Sequence, residues 1–273
     1  MNSAILLLSC RDQKGIVAKI SDFIYRHKGN IEHADQHIDG TTLFMRIQWA
    51  LDNFTIEDKN IAVALGPLSR AFKMESRLHF TKDLPRVAIF VSRHTHCLYD
   101  LLLRYQEGQF KCTVSLIVSN HPDALKIAEY FGIKFVHTGN EARILLELKK
   151  ERIEVIALAR YMRILSPVFV KRYKSSIINI HHSFLPAFAG GNPYEQAYAR
   201  GVKLIGATSH YVTAKLDDGP IIEQNTVRIS HRDSLDDLKR KGKDLEKLVL
   251  SRALRWHLER KILVYNNKTV VFD

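Results

Sequence analysis

The sequence predicts an α/β chain in two parts: an N-terminal ferredoxin-like βαββαβ domain over residues 1–82 and a mostly parallel, Rossmann-like domain over 83–273. Three observations carry the prediction. Over the first eighty residues, strand-length apolar runs and helical stripes follow one another in the order β-α-β-β-α-β. From Val87 onward the apolar runs become continuous, as in strands buried on both faces of a parallel sheet, and alternate with helical segments. Lys82 to Arg86, interrupted by Pro85, separates the two patterns.

In chain order, Ala4 to Cys10 is an apolar strand, and Gly15 to His27 carries Ile16, Ile20, Phe23 and Ile24 as a helical stripe. Gly29 and Asn30 end that helix. Ile31 to Ile38 and Thr42 to Ala50 pair through Asp39-Gly40, a dipeptide in which both positions tolerate positive φ. A second helix covers Ile56 to Phe72, and Met74 to Phe80 closes the sheet. The second domain reads as strands at Val87 to Val91, Thr113 to Val118 and Val155 to Leu158, with helices such as Pro122 to Phe131 and Glu141 to Lys150. A long helix from Ser234 to about Arg260 follows, then a hairpin, Ile262 to Phe272, turning at Asn266-Asn267. No internal repeat or low-complexity tract is present. In sheets of this kind ligands bind beyond the carboxyl ends of the strands, so the chemistry is expected just after a strand.

Bulk properties narrow the partners. The 273 residues are 46% hydrophobic and 26% charged, enough for one large core or two smaller ones. A formal charge of +12, densest from Arg228 to Lys261, favours a polyanion or a substrate with several carboxylates or phosphates, or marks a solvated basic face. Cys10, Cys97 and Cys112 are odd in number and widely spaced, which suits reduced thiols in the cytoplasm rather than a disulfide framework. The opening apolar run is five residues long and runs into charges, unlike a signal peptide, and no stretch reaches membrane-spanning length.

The densest polar grouping on an apolar background is Ile177-Ile-Asn-Ile-His-His-Ser-Phe-Leu-Pro186. On a strand, Asn179 and His181 share one face while Ile180 and His182 point away. An amide NH2 can stabilise an oxyanion, and an imidazole can carry the proton that acyl transfer must move. Asp217, in Lys215-Leu-Asp-Asp-Gly-Pro220, is the candidate third group to hold the imidazole or to deprotonate water. His94 with His96, His181 with His182, and His210 are short-spaced metal-ligand candidates. The HExxH pattern is missing, the cysteines are unpaired, and no carboxylate stands at a recurrent ligand spacing, so no metal is expected and His210 is placed on the wall of the site.

Together, Asn179-Ile-His181-His-Ser183-Phe-Leu-Pro186 and Gly206-Ala-Thr-Ser-His210-Tyr-Val-Thr-Ala-Lys-Leu-Asp217-Asp-Gly219-Pro220 resemble the signature of the folate-dependent formyltransferase superfamily. Cys10-Arg-Asp12-Gln-Lys-Gly15-Ile-Val, Asp35-Gln-His37 and Phe44-Met-Arg46-Ile-Gln-Trp49 are similar to the amino-terminal ACT domain of its deformylases, which the transformylases lack. The resemblance implies that Asn179, His181 and Asp217 are catalytic and that Met162, Arg163 and Leu165 of the Tyr161-Met-Arg163-Ile-Leu165-Ser segment, with Ser183 and His210, bind the substrate. It implies hydrolysis of 10-formyltetrahydrofolate to formate and tetrahydrofolate, the folate being substrate and no further cofactor being required. Formate for purine synthesis and a balanced one-carbon pool follow from that role.

Two departures bear on the acceptor. Relatives that formylate a ribonucleotide amine resemble one another in a glycine-rich loop after the first strand, where free N–H groups cradle phosphate. Here Val91-Ser92-Arg93-His94-Thr95-His96-Cys97 has no glycine and crowds that space. Methionyl-tRNA formyltransferases carry a further C-terminal β-barrel, for which too little sequence follows the Ile262 to Phe272 hairpin. Water is therefore the expected nucleophile, and neither nucleic acid nor membrane is expected as a partner. Ala189-Gly190-Gly191-Asn192-Pro193 stands where comparable relatives usually carry a Lys before the first glycine, which implies a weaker contact to the acidic tail of the substrate. The positive charge is expected to steer glutamate-bearing folates, with a salt-sensitive association rate. The ACT resemblance implies a homo-oligomer, dimer or tetramer, and a small amino-acid effector near Asp12, Gly15 and Asn30, or else a purely structural dimerisation domain. The competing readings are a formyltransferase with an unidentified small amine acceptor and a sensor that has lost turnover.

Overall fold

The computed structural model describes residues 2–187 and 192–273. The chain divides into two compact units, one formed by residues 1–84, Arg260–Tyr265 and Val270–Asp273, the other by Pro85–Glu259 and Asn266–Thr269.

The first unit runs β1 (Ser3–Arg11), α1 (Ile16–Arg26), β2 (Asn30–Asp39), β3 (Thr42–Ala50), α2 (Asp58–Ala71) and β4 (Glu75–Phe80). Its sheet has the order β2-β3-β1-β4, every neighbouring pair antiparallel. Ile16, Ile20 and Ile24 recur every fourth residue on α1 and are buried with Leu6 and Leu8 of β1, Met45, Ile47 and Trp49 of β3, and Ile61 and Leu65 of α2. Gly29 does not terminate α1 by taking positive φ; Lys28 does so, with φ 61°. A Cβ at Gly29 would lie 2.7 Å from Ile24 Cγ2 and 3.0 Å from Trp49, so this glycine admits core side chains against the backbone. At the hairpin only Gly40 has positive φ; Asp39 stays in β2 and pairs with Thr42, leaving the two-residue loop Gly40-Thr41.

The second unit runs β5 (Arg86–Val91), α3 (His96–Gln106), β6 (Thr113–Ser119), α4 (Leu125–Tyr130), β7 (Lys134–His137), α5 (Glu141–Lys150), β8 (Val155–Ala159), α6 (Pro167–Arg172), β9 (Ile177–His181), α7 (Pro193–Arg200), β10 (Leu204–Tyr211), β11 (Ile221–Arg228) and α8 (Leu235–Leu258). The helix expected from Pro122 begins as a 3-10 turn over Pro122–Ala124. The sheet order is β11-β10-β9-β8-β5-β6-β7: five parallel strands, with β10 and β11 joined antiparallel at one edge. The chain leaves β5 towards β6 and β7 on one side and returns to β8 and β9 on the other. That reversal opens a crevice at the strand carboxyl ends. Ser234 caps α8 reciprocally with Asp237, as a helix start of this length and polarity requires.

The chain ends with β12 (Ile262–Tyr265) and β13 (Lys268–Val271). Leu263, Tyr265, Val270 and Phe272 pack on Leu7 and Phe44, the face of the first sheet turned away from its helices. Contiguous pattern reading assigns all of 83–273 to the second domain; the compact units instead part after Leu84, and most of this tail groups with the first. Among the described residues no helix is long and apolar enough to cross a membrane.

Candidate active site

A cavity of about 470 Å³ opens at the carboxyl ends of β8 and β9, of a size that holds a small-molecule ligand. Its walls come from the segment after β8 (Arg160 to Leu165), the end of β9 (Asn179 to His182), His210 of β10, and the following loop from Val212 to Asp217. The first wall presents Met162 and Ile164, and the loop presents Leu216, each more than half exposed, which gives an aromatic ligand apolar surface beside polar groups.

The three polar residues expected to act together do converge. Asn179 and His210 face each other across the β9–β10 ladder, and His181 pairs with Thr208 two residues on. His210 Nδ1 lies 2.9 Å from the Tyr211 carbonyl, so Nδ1 carries the proton and donates it there. Its Nε2 lone pair then accepts one N–H of Asn179 at 3.2 Å, which orients the amide and leaves its other N–H for a ligand. His181 Nδ1 donates to Asp217 Oδ2 at 3.3 Å. The opposite nitrogen, His181 Nε2, is buried with no hydrogen-bond partner among the described residues. Asp217 Oδ1 is 3.7 Å from His210 Nε2, too long for a hydrogen bond. The hydrogen bond from His181, foremost, holds the Asp217 carboxyl far below the usual carboxylate range, so it stays ionised at all physiological pH.

Backbone strain sets the position of the carboxylate. Asp217 has φ 52°, in the left-handed region that residues with a Cβ avoid. Two residues later the chain passes so close to β10 that a Cβ on Gly219 would lie 1.7 Å from the Tyr211 carbonyl oxygen and 3.3 Å from His210 Nδ1. The Asp-Asp-Gly-Pro run is therefore a clamp that presses Asp217 onto the two imidazoles, more than an ordinary turn.

A family model described as formyl transferase matches residues 85–254, and one described as ACT domain matches residues 4–62. The formyltetrahydrofolate deformylase of Synechocystis sp. is 51% identical over 99% of this chain and 98% of its own length. That of Bacillus subtilis is 44% identical over 98% of this chain and 93% of its own. The crystal structure of a formyltetrahydrofolate deformylase from Pseudomonas syringae pv. tomato superimposes with a TM-score of 0.97 at 43% identity, covering 100% of this chain and 95% of that one. This chain belongs to the formyltetrahydrofolate deformylase family. Its members hydrolyse 10-formyltetrahydrofolate to formate and tetrahydrofolate, which fits a cavity with an oriented amide, an imidazole and a carboxylate.

The cavity also contains a residue that strand alternation directs away from it. His182 was expected to face away from Asn179 and His181, yet it lines the cavity, because β9 ends at His181 and strand alternation stops governing direction there. Burial, then the charge of Arg160, pushes its pKa down to about 4. Behind it Glu246, 1% exposed on α8, accepts hydrogen bonds from His96 Nε2 at 2.7 Å and from the Tyr194 hydroxyl at 2.6 Å. Arg160 Nε lies 3.5 Å from the same carboxylate. Tyr194 reaches Glu246 across Gly242, where any Cβ would fall 2.1 Å from its hydroxyl. His96, Cys97 and Glu246 bring potential metal-ligating atoms within 4.8 Å of one another. Burial and the Glu246 charge push the Cys97 thiol well up, however, and Glu246 is already engaged beside a guanidinium, so the cluster is a hydrogen-bonded hub.

Of the substrate-binding candidates, Met162, Arg163, Leu165 and His210 line the cavity. Arg163 lies over Gly139, where a Cβ would be 2.6 Å from its Nη1. Ser183 is not among the lining residues: it is buried, its hydroxyl donates to the Ala187 carbonyl at 2.9 Å, and its own carbonyl accepts from Thr208, so it fixes the turn after β9. The effector candidates do not form one cluster within the chain. Asp12 and Gly15 follow β1 at the end of the sheet where Arg11 pairs with Thr42, whereas Asn30 pairs with Ala50 at the opposite end. Eight residues of strand, about 26 Å, separate the two ends. The Ala189-Gly190-Gly191 departure lies outside the described residues.

Proposed function

We propose that hydrolysis of 10-formyltetrahydrofolate to formate and tetrahydrofolate takes place in this cavity, with Asn179, His181 and Asp217 as the catalytic residues and water as the acceptor. The observation that carries the reading is the linear order Asp217 carboxylate, His181 Nδ1–H, His181 Nε2, the last without a partner among the described residues. A carboxylate held so far below its usual pKa is a poor base. The proton of the attacking water therefore goes to His181 Nε2, and Asp217 stabilises the imidazolium that forms. The free N–H of Asn179, oriented by His210, donates to the oxyanion of the tetrahedral intermediate. Collapse breaks the bond between the formyl carbon and N10, and His181 returns its proton to that nitrogen. Met162, Arg163 and Leu165 are assigned to the pterin and its neighbouring ring.

Incubation with 10-formyltetrahydrofolate and no amine tests the whole reading: formate and tetrahydrofolate are expected in equal amounts, catalytically. Turnover that requires an added amine would make the protein a transferase, and none at all a sensor. We assign the formate to purine synthesis and the reaction to control of one-carbon folate pools. Three buried free thiols support a cytoplasmic, reducing location. No cofactor beyond the folate substrate is required by this chemistry. For the homo-oligomer, dimer or tetramer, the ten residues of β2 form an edge of the sheet among the described residues, nine of them exposed. A small amino acid is the proposed effector, with Asp12 and Gly15 on the loop before α1 as its nearest ligands. Sedimentation and amino-acid titration of the turnover test these two assignments.

A further inference from the structure

Arg160 enters none of these steps, yet it is the most constrained cation on the cavity wall. It follows β8 with φ 65°, a conformation costly to any residue with a Cβ. Ser92 pins this backbone on both sides: its N–H donates to the Arg160 carbonyl at 3.2 Å, and its hydroxyl accepts from Met162 N at 3.0 Å while donating to Asn120. The side chain is 10% exposed. A guanidinium has five N–H donors. Among the described residues none of them makes a hydrogen bond, and Nε is fully buried without a partner. The contact with Glu246 at 3.5 Å is an ion pair only, and the two carboxylate oxygens accept instead from His96 and Tyr194. Glu246 thus holds the charge of Arg160 in place without using its donors. His94 and His182 line the same cavity, both within reach of the Arg160 charge, and the His182 ring lies 5.3 Å from that of His181.

We propose that Arg160, flanked by His94 and His182, forms a subsite for a small planar carboxylate, and that its occupant is the formate released by hydrolysis. The inference rests on the reading of the cavity as the site of hydrolysis. Attack by water forms a carbon–oxygen bond and cleaves the bond to N10. One water proton ends on that nitrogen and the other leaves to solvent, so the second product is a monoanion formed inside the cavity. A guanidinium edge with free N–H pairs matches a carboxylate in geometry and charge. The subsite receives formate as it separates from tetrahydrofolate, and makes formate a product inhibitor.

The test uses the substrate-free full-length protein and carbon-13 formate, followed by NMR line broadening at constant ionic strength, together with formate inhibition of turnover. Saturable binding is expected in the wild type, displaced by nitrate, likewise a planar monoanion, and not by chloride. Arg160→Met is expected to weaken formate binding at least about tenfold, as loss of a charge-assisted hydrogen bond does, and Arg160→Lys to weaken it less. Thermal melting checks that each variant is folded, and the wild-type competition with nitrate decides the matter should Arg160→Met fail to fold. Absent or non-saturable broadening in the wild type, or equal formate binding in wild type and Arg160→Met, overturns the proposal. If Arg160 instead meets the glutamate carboxylate of the folate, Arg160→Met raises KM and leaves formate binding unchanged, and the proposal falls. Formate binding needs no turnover, so its failure is distinct from failure of the hydrolytic reading, which the amine-free assay judges.

Discussion

Replacing Asp217 by Asn keeps the shape of the side chain and removes its charge, so it isolates the electrostatic part of the mechanism. The carboxylate lies 3.3 Å from His181 Nδ1 and is 16% exposed. At an effective dielectric of about 20, two unit charges at that separation attract by about 5 kcal/mol. That attraction is felt only once His181 has taken the proton of the attacking water, so it acts on the transition state. The amide dipole of Asn recovers part of it, leaving a net loss of about 3 to 5 kcal/mol, or a fall of roughly 100- to 5,000-fold in turnover. His181→Ala is expected to fall at least as far, since it removes the proton carrier itself. The measurement is formate release from 10-formyltetrahydrofolate without amine, alongside a thermal melt. The stability effect has its own sign. A carboxyl held low in the folded state stabilises above about pH 3.9 and loses that contribution as pH falls further, so Asp217→Asn flattens acid unfolding in that range. A folded Asp217→Asn protein that turns over within about threefold of wild type would refute the assignment of the imidazolium partner.

Gly219→Ala is expected to cost about 3 kcal/mol or more in stability and most of the activity together, because its Cβ would overlap the Tyr211 carbonyl and force the Asp217 loop outwards; a melting temperature unchanged by differential scanning calorimetry would contradict the clamp. Glu246→Gln leaves the buried Arg160 without a counter-charge and is expected to cost about 3 to 5 kcal/mol, near 10 °C in melting temperature; a neutral result would show the hub to be dispensable. Burial, helped by Arg260 and Arg77 for His79 and by Arg160 for His182, lowers each pKa to about 4. The unfolded chain therefore binds more protons between about pH 4 and 6.5, and stability falls as pH drops through that window, by at most about 1.4 kcal/mol per unit for each group. Urea titrations across the window are expected to show a shallower slope in His79→Gln and in His182→Asn, and an unchanged slope would remove that histidine from the account.

The sequence discloses what depends on short-range pattern. The isoleucines of α1, the continuous apolar runs of β5, β6 and β8, and the two-residue spacing of Asn179 and His181 each state their own geometry. Family resemblance supplied the folate. What stayed hidden depends on partners far apart in the chain. Glu246 sits in a helix rich in lysine and arginine, and nothing local marks it as the acceptor for His96, 150 residues earlier. Arg160 bears no sign of its positive φ. Ser183 lies inside the signature, but its hydroxyl is taken by Ala187, a contact that only the turn creates. The resemblance groups Asn30 with Asp12 and Gly15, but helix α1 carries the chain back, and the register of β1, β3 and β2 places Asn30 at the other end of the sheet.

The grouping of the last residues with the first unit has a consequence for how the protein is made. Leu7 and Phe44 are synthesised well before the side chains that cover them, Leu263, Tyr265, Val270 and Phe272. The first sheet therefore passes through most of translation with one apolar face open to water and to other nascent chains. The sheet can close only once residues 263–272 have left the ribosome, so of the two units the one begun earlier must wait for the later part of the chain.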